Sequence, residues 1–153
     1  MIALDLPDEA ATAALAVRLA VLARPGDVIA LQGELGAGKT RFARAFIAAR
    51  GGVEAVPSPT FTLVQTYELP GGTVWHFDLY RLRAAEEVWE LGIEDAFRDG
   101  ISLIEWPERL GTLLPPRRLL IELAFAATAG ARRARLSGDG DWAARLAAFE
   151  AEA

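Results

Sequence analysis

The sequence predicts an α/β fold: one three-layer domain in which helices cover a sheet that mixes parallel and antiparallel strands. Helical and strand-like segments alternate along the 153 residues, as parallel strands with helical connections require. Two pairs of strand-like segments with short connections are typical of β-hairpins, which add antiparallel strands to such a sheet. The length suits a single domain with a sizeable core, so 1–153 is treated as one unit.

The first fifty or so residues predict a helix, a strand, a glycine-rich loop and a second helix. In LPDEAATAALAVRLAVLARPGD, leucines repeat at helical spacing, Pro7 and Asp8 supply a start, and a Pro-Gly pair supplies a stop. DVIALQ is a short apolar run that is typical of a buried strand. In KTRFARAFIAARGG, the apolar stripe that contains Phe42 and Phe46 predicts an amphipathic helix, and Gly51 stands where a C-cap is expected.

The rest of the chain predicts two hairpins with a helix and a strand between them. PSPT is predicted to be a loop, because each proline disfavours helix at the residue before it. FTLVQTYEL and TVWHFDLY, joined by PGG, alternate as a hairpin does, and AAEEVWELGIEDAFRDG has a helical pattern. ISLIEW is a further apolar strand, and RLLIELAFA with ARRARLS forms a second predicted hairpin before a small helix from Asp141. Trp89 and Trp142 are predicted to be core residues.

Composition and charge exclude several classes of function. The net charge is −5 and the pI about 4.9, which argues against strong nucleic-acid binding by this chain alone, since phosphate neutralisation needs a basic face. The sequence has no cysteine and one histidine, which excludes disulfides, a cysteine nucleophile and multi-histidine metal centres. No apolar run approaches the ~18 residues of a membrane span, and the acidic N-terminus is unlike a signal peptide. We therefore expect a cytoplasmic protein without membrane association.

GELGAGKT, residues 33–40, satisfies the G-x-x-x-x-G-K-[ST] pattern of a phosphate-binding P-loop. It follows an apolar strand and opens a helix, as the mechanism requires, so the fold is predicted to be P-loop NTPase-like. The glycines let backbone N–H groups point at phosphate oxygens, and the helix directs the positive end of its dipole to the same place. Lys39 is expected to reach the β- and γ-phosphates, and the Thr40 hydroxyl to ligate Mg²⁺. The residues predicted to contact the nucleotide here are Gly36, Ala37, Gly38, Lys39, Thr40 and Arg41.

Two features of composition bear on the ligand: the single lysine concerns its phosphates, and the absence of asparagine concerns its base. Lys39 is the only lysine among sixteen Lys and Arg residues, and a slim ammonium acts as a point charge between phosphate oxygens where a guanidinium is broader. The sequence also contains no asparagine, so the N-K-x-D motif with which GTPases usually read guanine cannot be present. ATP with Mg²⁺ is therefore the predicted ligand pair.

Further side chains are candidates to complete the site. Asp78 follows VWHF, and Glu105 follows SLI. Each alone could equally well be an ordinary acid at the end of a strand. Beside a P-loop, however, at least one of them is expected to hold the metal or to order the attacking water. Thr60 in SPTFT is either a switch-loop ligand of the γ-phosphate or Mg²⁺, or a turn residue that enters a strand. Trp106 either packs near the nucleotide, presents a partner surface or closes the edge of the core. His76, between two aromatic residues, is interpreted as a packed histidine with satisfied ring nitrogens rather than a base.

The motifs GELGAGKTRFARAF, SPTFTLVQTYE, HFDLYRL, ELGIEDAF and IEWPERL, in that order, resemble those of the TsaE family, also called YjeE. The resemblance covers about residues 6–135. It implies a small bacterial ATPase of the threonylcarbamoyladenosine tRNA-modification system, whose ATP hydrolysis is slow and depends on the partner proteins TsaB and TsaD. Those partners carry the transfer to tRNA, so the resemblance implies that this chain acts on their complex rather than on tRNA directly.

Carried over by position, the resemblance assigns roles to the candidate residues. Lys39, Asp78 and Glu105 form the catalytic set, and Lys39 with Thr40 is the P-loop pair. Mg²⁺ is assigned to Thr40 and Glu105, and water positioning or outer-shell support of the metal to Asp78. The two acids can exchange these roles.

The resemblance also covers positions outside the P-loop and the acids. Thr60 lies in the switch-like loop, and Trp106 stands beside the second acid. Arg132 and Arg135 match a basic pair that touches the nucleotide or the partner. Residues 137–153 form a terminal extension with no motif to carry over, and the adenine contacts are undetermined, with the first helix near Thr12 as the candidate.

Two alternative functions stay open. A small-molecule P-loop kinase suits the size, and the arginines at 81, 83 and 109 are candidates for its phosphate lid, although no lid segment stands out. A nucleotide-gated scaffold in which hydrolysis is incidental also fits the motifs.

Overall fold

The computed structural model describes residues 1–52 and 63–151, and within them the strands form one sheet of seven. The strand bounds are β1 Ile2–Leu6, β2 Val28–Gln32, β3 Val64–Leu69, β4 Gly72–Asp78, β5 Ile101–Glu105, β6 Leu119–Phe125 and β7 Arg132–Gly138. Across the sheet they lie in the order β1-β7-β6-β2-β5-β4-β3. The strand after which the glycine loop begins, β2, is therefore at the centre.

The sheet is parallel in the middle and antiparallel towards both edges. β2 pairs in parallel with β5 and β6, and β4 pairs in parallel with β5. The antiparallel pairs are β3 with β4, β6 with β7, and β1 with β7. Both predicted hairpins and the mixed sheet are confirmed.

Helices cover both faces of this sheet. The α-helices are α1 Glu9–Leu22, α2 Lys39–Ala49, α3 Ile93–Asp99 and α4 Asp141–Ala151, and 3₁₀ helices occupy Ala85–Leu91 and Pro107–Leu113. α1, α2 and α4 share one buried cluster with the sheet, and α3 shares a second cluster with the two 3₁₀ helices. The result is the predicted three-layer, P-loop NTPase-like α/β fold.

The predicted helix signals account for how the two helices beside the site begin and pack. Asp8 caps α1 by accepting a hydrogen bond from the backbone N–H of Ala11 at 2.8 Å. Phe42 and Phe46, four residues apart on α2, are fully buried against the sheet, as the apolar stripe predicts. Trp142 of α4 is 2 % exposed and is a core residue, as predicted.

Three sequence predictions need correction. β1 was not predicted, because this edge strand pairs only with β7, whose residues lie some 130 positions away. The helix predicted in AAEEVWELGIEDAFRDG is divided at Gly92, which has φ +83 and separates a 3₁₀ helix from α3. Trp89 is wrong as a core residue, since it is 48 % exposed while its neighbour Val88 is fully buried.

Among residues 1–52 and 63–151, no helix is long and apolar enough to cross a membrane. The expectation of a cytoplasmic location stays a prediction.

Candidate functional site

The glycine-rich loop at 33–38 joins β2 to α2 at the carboxyl end of the parallel strands. Gly36 and Gly38 have φ values of +82 and +108, which side-chain-bearing residues rarely adopt. A Cβ at Gly33 would lie 2.5 Å from the carbonyl oxygen of Leu123 in β6, so this glycine permits the close approach of two strands. No described side chain caps the N-terminus of α2, and its first turn has no acidic residue. The loop and helix end thus have the form of an anion cradle.

Lys39, the first residue of α2, is only 4 % exposed. Its Nζ donates to the carbonyl oxygens of Gly33 and Glu34, the second at 3.0 Å, and lies 3.9 Å from the centre of the Trp106 ring. Burial lowers the pKa of Lys39 below its usual 10.5, and the attraction of nearby carboxylates opposes this only in part. An anion bound in the cradle would stabilise the charged form of Lys39, which burial disfavours.

The two predicted strand-end acids meet beside this loop. The parallel register of β4 and β5 sets Asp78 opposite Glu105, so both side chains leave the sheet on one face. The Thr40 hydroxyl donates to the Glu105 carboxylate, whose two oxygens lie 2.9 and 3.0 Å away. Asp78 Oδ1 accepts a hydrogen bond from the backbone N–H of Tyr80 at 3.1 Å. Asp78 and Glu105 are both buried, at 6 % and 2 % exposure, which is unusual for carboxylates unless they are paired.

His76 is a site residue that the sequence interpretation missed. It is fully buried, as expected for a packed histidine, but its Nε2 lies 2.6 Å from Glu105 Oε2. Its Nδ1 has no hydrogen-bond partner among residues 1–52 and 63–151. The available signal was the spacing to Asp78, because residues two apart on a strand share a face.

Trp106 follows β5 with φ 60° and ψ 50°, a left-handed conformation that is uncommon for any residue with a side chain. This turn places its ring over Lys39, and the ring of Tyr80 lies 4.8 Å from it, centre to centre. Packing beside the loop agrees with this position, and so does a place at the edge of the core, because Trp106 also packs, partly buried, against the second buried cluster.

Arg132, the first residue of β7, reaches the same loop from the other side. Its Nε donates to the carbonyl oxygen of Ala37 at 3.0 Å, and its Nη2 to that of Gly36 at 3.2 Å. The guanidinium also lies 4.6 Å from the centre of the Phe125 ring. Arg132 therefore holds two carbonyl groups of the loop from β7.

One cavity gathers most of the predicted site residues. Its lining contains the loop glycines at 36 and 38, the start of α2, both acids, Trp106 and Arg132. Glu9 and Thr12 of α1 complete the wall, and Glu9 pairs with Arg41 at 2.8 Å. Arg135 is exposed on β7 and is not part of this lining, and Thr60 lies outside the described residues.

The Thr40–Glu105 pair fits a magnesium ion. Mg²⁺ prefers hard oxygen ligands in an octahedron with bonds of ~2.1 Å, which places neighbouring ligands ~2.9 Å apart. The Thr40 hydroxyl lies 2.9 and 3.0 Å from the Glu105 oxygens, which are hydrogen-bond distances that are also compatible with this spacing. In the described part of the chain, no three His, Cys, Asp or Glu side chains group into a metal site. Mg²⁺ sites usually take one or two carboxylates from the protein and leave the other positions to water and phosphate.

A family model described as threonylcarbamoyl adenosine biosynthesis protein TsaE matches residues 6–134. The chain belongs to the TsaE family. A protein of Rickettsia felis named tRNA threonylcarbamoyladenosine biosynthesis protein TsaE is 44% identical over 121 residues, which are 78% of this chain and 71% of that protein. The Bacillus subtilis protein of the same name is 40% identical over 121 residues, 78% of this chain and 74% of its own.

A solved structure supports the fold of this TsaE-family chain. The crystal structure of YdiB from Bacillus subtilis superimposes with a TM-score of 0.81 at 29% sequence identity. The superposition covers 99% of this chain and 94% of YdiB. The likeness therefore extends past residue 134, where the family match ends, into the region of α4.

Proposed function

We propose that this TsaE-family chain binds ATP with Mg²⁺ and hydrolyses it in the biosynthesis of threonylcarbamoyladenosine on tRNA. The observation that carries the proposal is the contact between Thr40, at the end of the P-loop, and the buried carboxylate of Glu105. A carboxylate so close to a phosphate cradle repels the phosphates unless a cation lies between them. A hydroxyl, a carboxylate and a lysine in this arrangement support a magnesium–triphosphate ligand better than a phosphate alone.

The chain's own groups divide the work in this proposal. The backbone N–H groups of the loop hold the phosphates, and Lys39 neutralises the charge that develops on them. Thr40 and Glu105 hold Mg²⁺, which when bound supplies further positive charge to the phosphate oxygens. Asp78 accepts a hydrogen bond from the attacking water, whose oxygen bonds to the γ-phosphorus as the bond to ADP breaks. The exchanged assignment of the two acids is the alternative.

The proposed setting is a cytoplasmic complex with the partner proteins TsaB and TsaD. Family membership supports the pathway, because relatives 44% and 40% identical carry the name of this biosynthesis. The net charge of −5 gives the chain little attraction for tRNA, which favours action through partners over direct binding. Tight tRNA binding by the chain alone at physiological salt would contradict this part of the proposal.

The test is the rate of ATP hydrolysis by the chain alone and with the TsaB–TsaD pair added. We expect slow turnover alone and a clear increase with the pair. Unchanged turnover would refute partner activation. Each reaction also receives candidate small-molecule acceptors, because a phosphorylated acceptor in place of free phosphate would establish the kinase alternative.

Asp78→Ala separates hydrolysis from nucleotide-gated assembly. We expect this variant to keep ATP binding, measured by titration calorimetry, and to lose turnover and threonylcarbamoyladenosine formation in the reconstituted system. Full product formation without turnover would favour the scaffold alternative instead. Glu105→Gln, tested beside it, shows which acid carries the Mg²⁺ dependence and so decides between the two role assignments.

A further inference from the structure

His76 of β4 is buried against Glu105, the residue that we propose holds Mg²⁺. It has no solvent-exposed surface, and its Nε2 is 2.6 Å from Glu105 Oε2. The contact joins β4 to β5, so it depends on the pairing of the two strands and not on the local structure of either residue.

The register of the sheet creates this contact. In the parallel pair of β4 and β5, His76 lies opposite Leu103 and Asp78 lies opposite Glu105. Residues two apart on a strand share a face, so His76 is the diagonal neighbour of Glu105 on the face that α2 covers. Val74, two residues before His76, is buried in the same α2-facing cluster, which fixes the direction of the imidazole.

Hydrogen bonding fixes which ring nitrogen carries the proton. Nδ1 has no partner among the described residues, and an orphaned buried N–H is rarer than an orphaned acceptor. The Glu105 carboxylate accepts a hydrogen bond from the Thr40 hydroxyl, and an ionised carboxylate can only accept. The 2.6 Å contact between Oε2 and His76 Nε2 therefore needs a hydrogen on the histidine nitrogen. The hydrogen-bond network thus assigns the proton to Nε2, as a donor to Oε2.

This single donor removes an ambiguity in the Glu105 carboxylate. Thr40 lies almost equally far from both oxygens, at 2.9 and 3.0 Å, and so does not select one of them. The bond from His76 engages Oε2, whereas Oε1 lies 2.9 Å from the Thr40 hydroxyl. Groups that orient a metal-binding side chain in this way typically contribute 10–100-fold in metal affinity or activity.

We propose that His76 is a positioning residue: its Nε2–H holds the Glu105 carboxylate in the one orientation that presents Oε1 to a divalent cation beside Thr40. The inference rests on the proposed Mg²⁺–ATP function and adds the residue that sets the cation affinity of the site. The competing explanation is that His76 only fills space in the core.

The first experiment measures the Mg²⁺ requirement of ATP binding by titration calorimetry for the wild type, His76→Gln and His76→Leu. Leucine fills the space without a donor, whereas the glutamine amide nitrogen is a donor at a similar distance from the backbone. We expect ATP affinity without Mg²⁺ to stay within about 2-fold, and His76→Leu to need about 10–100-fold more Mg²⁺ for full affinity. His76→Gln should recover most of that loss. Equal Mg²⁺ requirements in all three proteins would overturn the positioning role.

Ser102→Ala is the matched control. Ser102 is a fully buried polar residue of β5 whose Oγ has no partner among the described residues, and it points to the face opposite Glu105. The control should leave the Mg²⁺ requirement unchanged, and thermal unfolding of each variant reports general loss of packing. An equal change in Ser102→Ala would show that the effect comes from the sheet and not from the Glu105 contact.

The second experiment reads the hydrogen bond directly and needs no variant. His76 is the only histidine in the chain, so untagged protein labelled with ¹⁵N-histidine gives the NMR signals of a single imidazole. We expect a protonated Nε2 and an unprotonated Nδ1 in the free protein, and a change in the Nε2 signal when Mg²⁺ is added to the ATP-bound protein. A protonated Nδ1 with a bare Nε2 would overturn the proposal.

The two experiments also separate failure of this inference from failure of the proposed function. A wild type that binds no ATP refutes the proposed function and, with it, the cation role of His76. A wild type that binds ATP in a Mg²⁺-dependent way, together with a bare Nε2 or with unchanged His76 variants, refutes only the inference.

Discussion

Lys39→Arg tests whether the chain's single lysine acts as a point charge rather than as any positive group. The change keeps the charge and the hydrogen-bond donors but replaces a compact ammonium with a broad planar guanidinium. Lys39 is 4 % exposed, and its Nζ is enclosed by the carbonyl oxygens of Gly33 and Glu34 and by the Trp106 ring 3.9 Å away. A guanidinium has to displace that ring or push the loop outward.

The size of the effect follows from the contacts that the ammonium would make with ATP. In the proposed complex, Nζ makes charge-assisted hydrogen bonds to two phosphates, each contributing about 1.5–3 kcal/mol. Loss of both amounts to about 3–6 kcal/mol, and even the lower bound weakens ATP binding about a hundredfold. Overall charge is conserved, so long-range attraction does not contribute to the difference.

Titration calorimetry with ATP and Mg²⁺ measures this loss, and thermal unfolding shows whether the variant keeps its fold. Arg44→Lys, a change at an exposed position one turn further along α2, is the control for altered basic side chains on that helix. We expect the control to bind ATP like the wild type. A folded Lys39→Arg protein with ATP affinity within about 3-fold of the wild type would refute the point-charge argument.

Three further predictions follow from contacts around the site. Glu105→Gln should raise Mg²⁺-free ATP affinity, because the neutral amide no longer repels the phosphates, and should lose the gain that Mg²⁺ provides in calorimetry. A retained gain would assign the metal to another acid. Arg132→Met removes two hydrogen bonds to loop carbonyls, about 1 kcal/mol each at this partly exposed position, and should weaken ATP binding about 10–30-fold, with Arg132→Lys between. Equal ATP affinity in the wild type, Arg132→Met and Arg132→Lys would show that the loop needs no support from β7. Arg145→Met breaks a partly buried pair with Asp27, joined at 2.6 and 2.8 Å and 10–12 % exposed. It should cost about 1–3 kcal/mol of unfolding free energy in urea without changing ATP affinity. A loss under about 1 kcal/mol would contradict the importance of that pair.

The loop and its two flanking elements were predictable because all the information is local. β2, the glycines and α2 lie within about twenty consecutive residues, and the positive φ values of Gly36 and Gly38 are what such glycines permit. The hairpins were predictable for the same reason, since a short connection fixes both partners. The seven-stranded order itself was not predicted from any short window, because β1 and β7 pair across most of the chain.

His76 shows what local patterns cannot provide. Alternation indicates that it shares a face with Asp78, but only the pairing of β4 with β5 shows that this face includes Glu105. Trp106 is a similar case: its position after Glu105 was visible, but its left-handed backbone and its place over Lys39 depend on the turn into the next 3₁₀ helix. The prediction for Trp89 was wrong because an aromatic residue in a helical pattern does not show which face of a short 3₁₀ helix packs against the core.

The site residues are brought together by strand direction more than by strand order. β2, β4, β5 and β6 run in parallel, so the glycine loop, Asp78 and Glu105 all emerge at the same edge of the sheet. β7 is antiparallel to β6, so it begins at the edge where the others end, and its first residue is Arg132. On the antiparallel strand β7, the residue that reaches the loop therefore stands at the start of the strand, whereas the two acids stand at the ends of parallel strands.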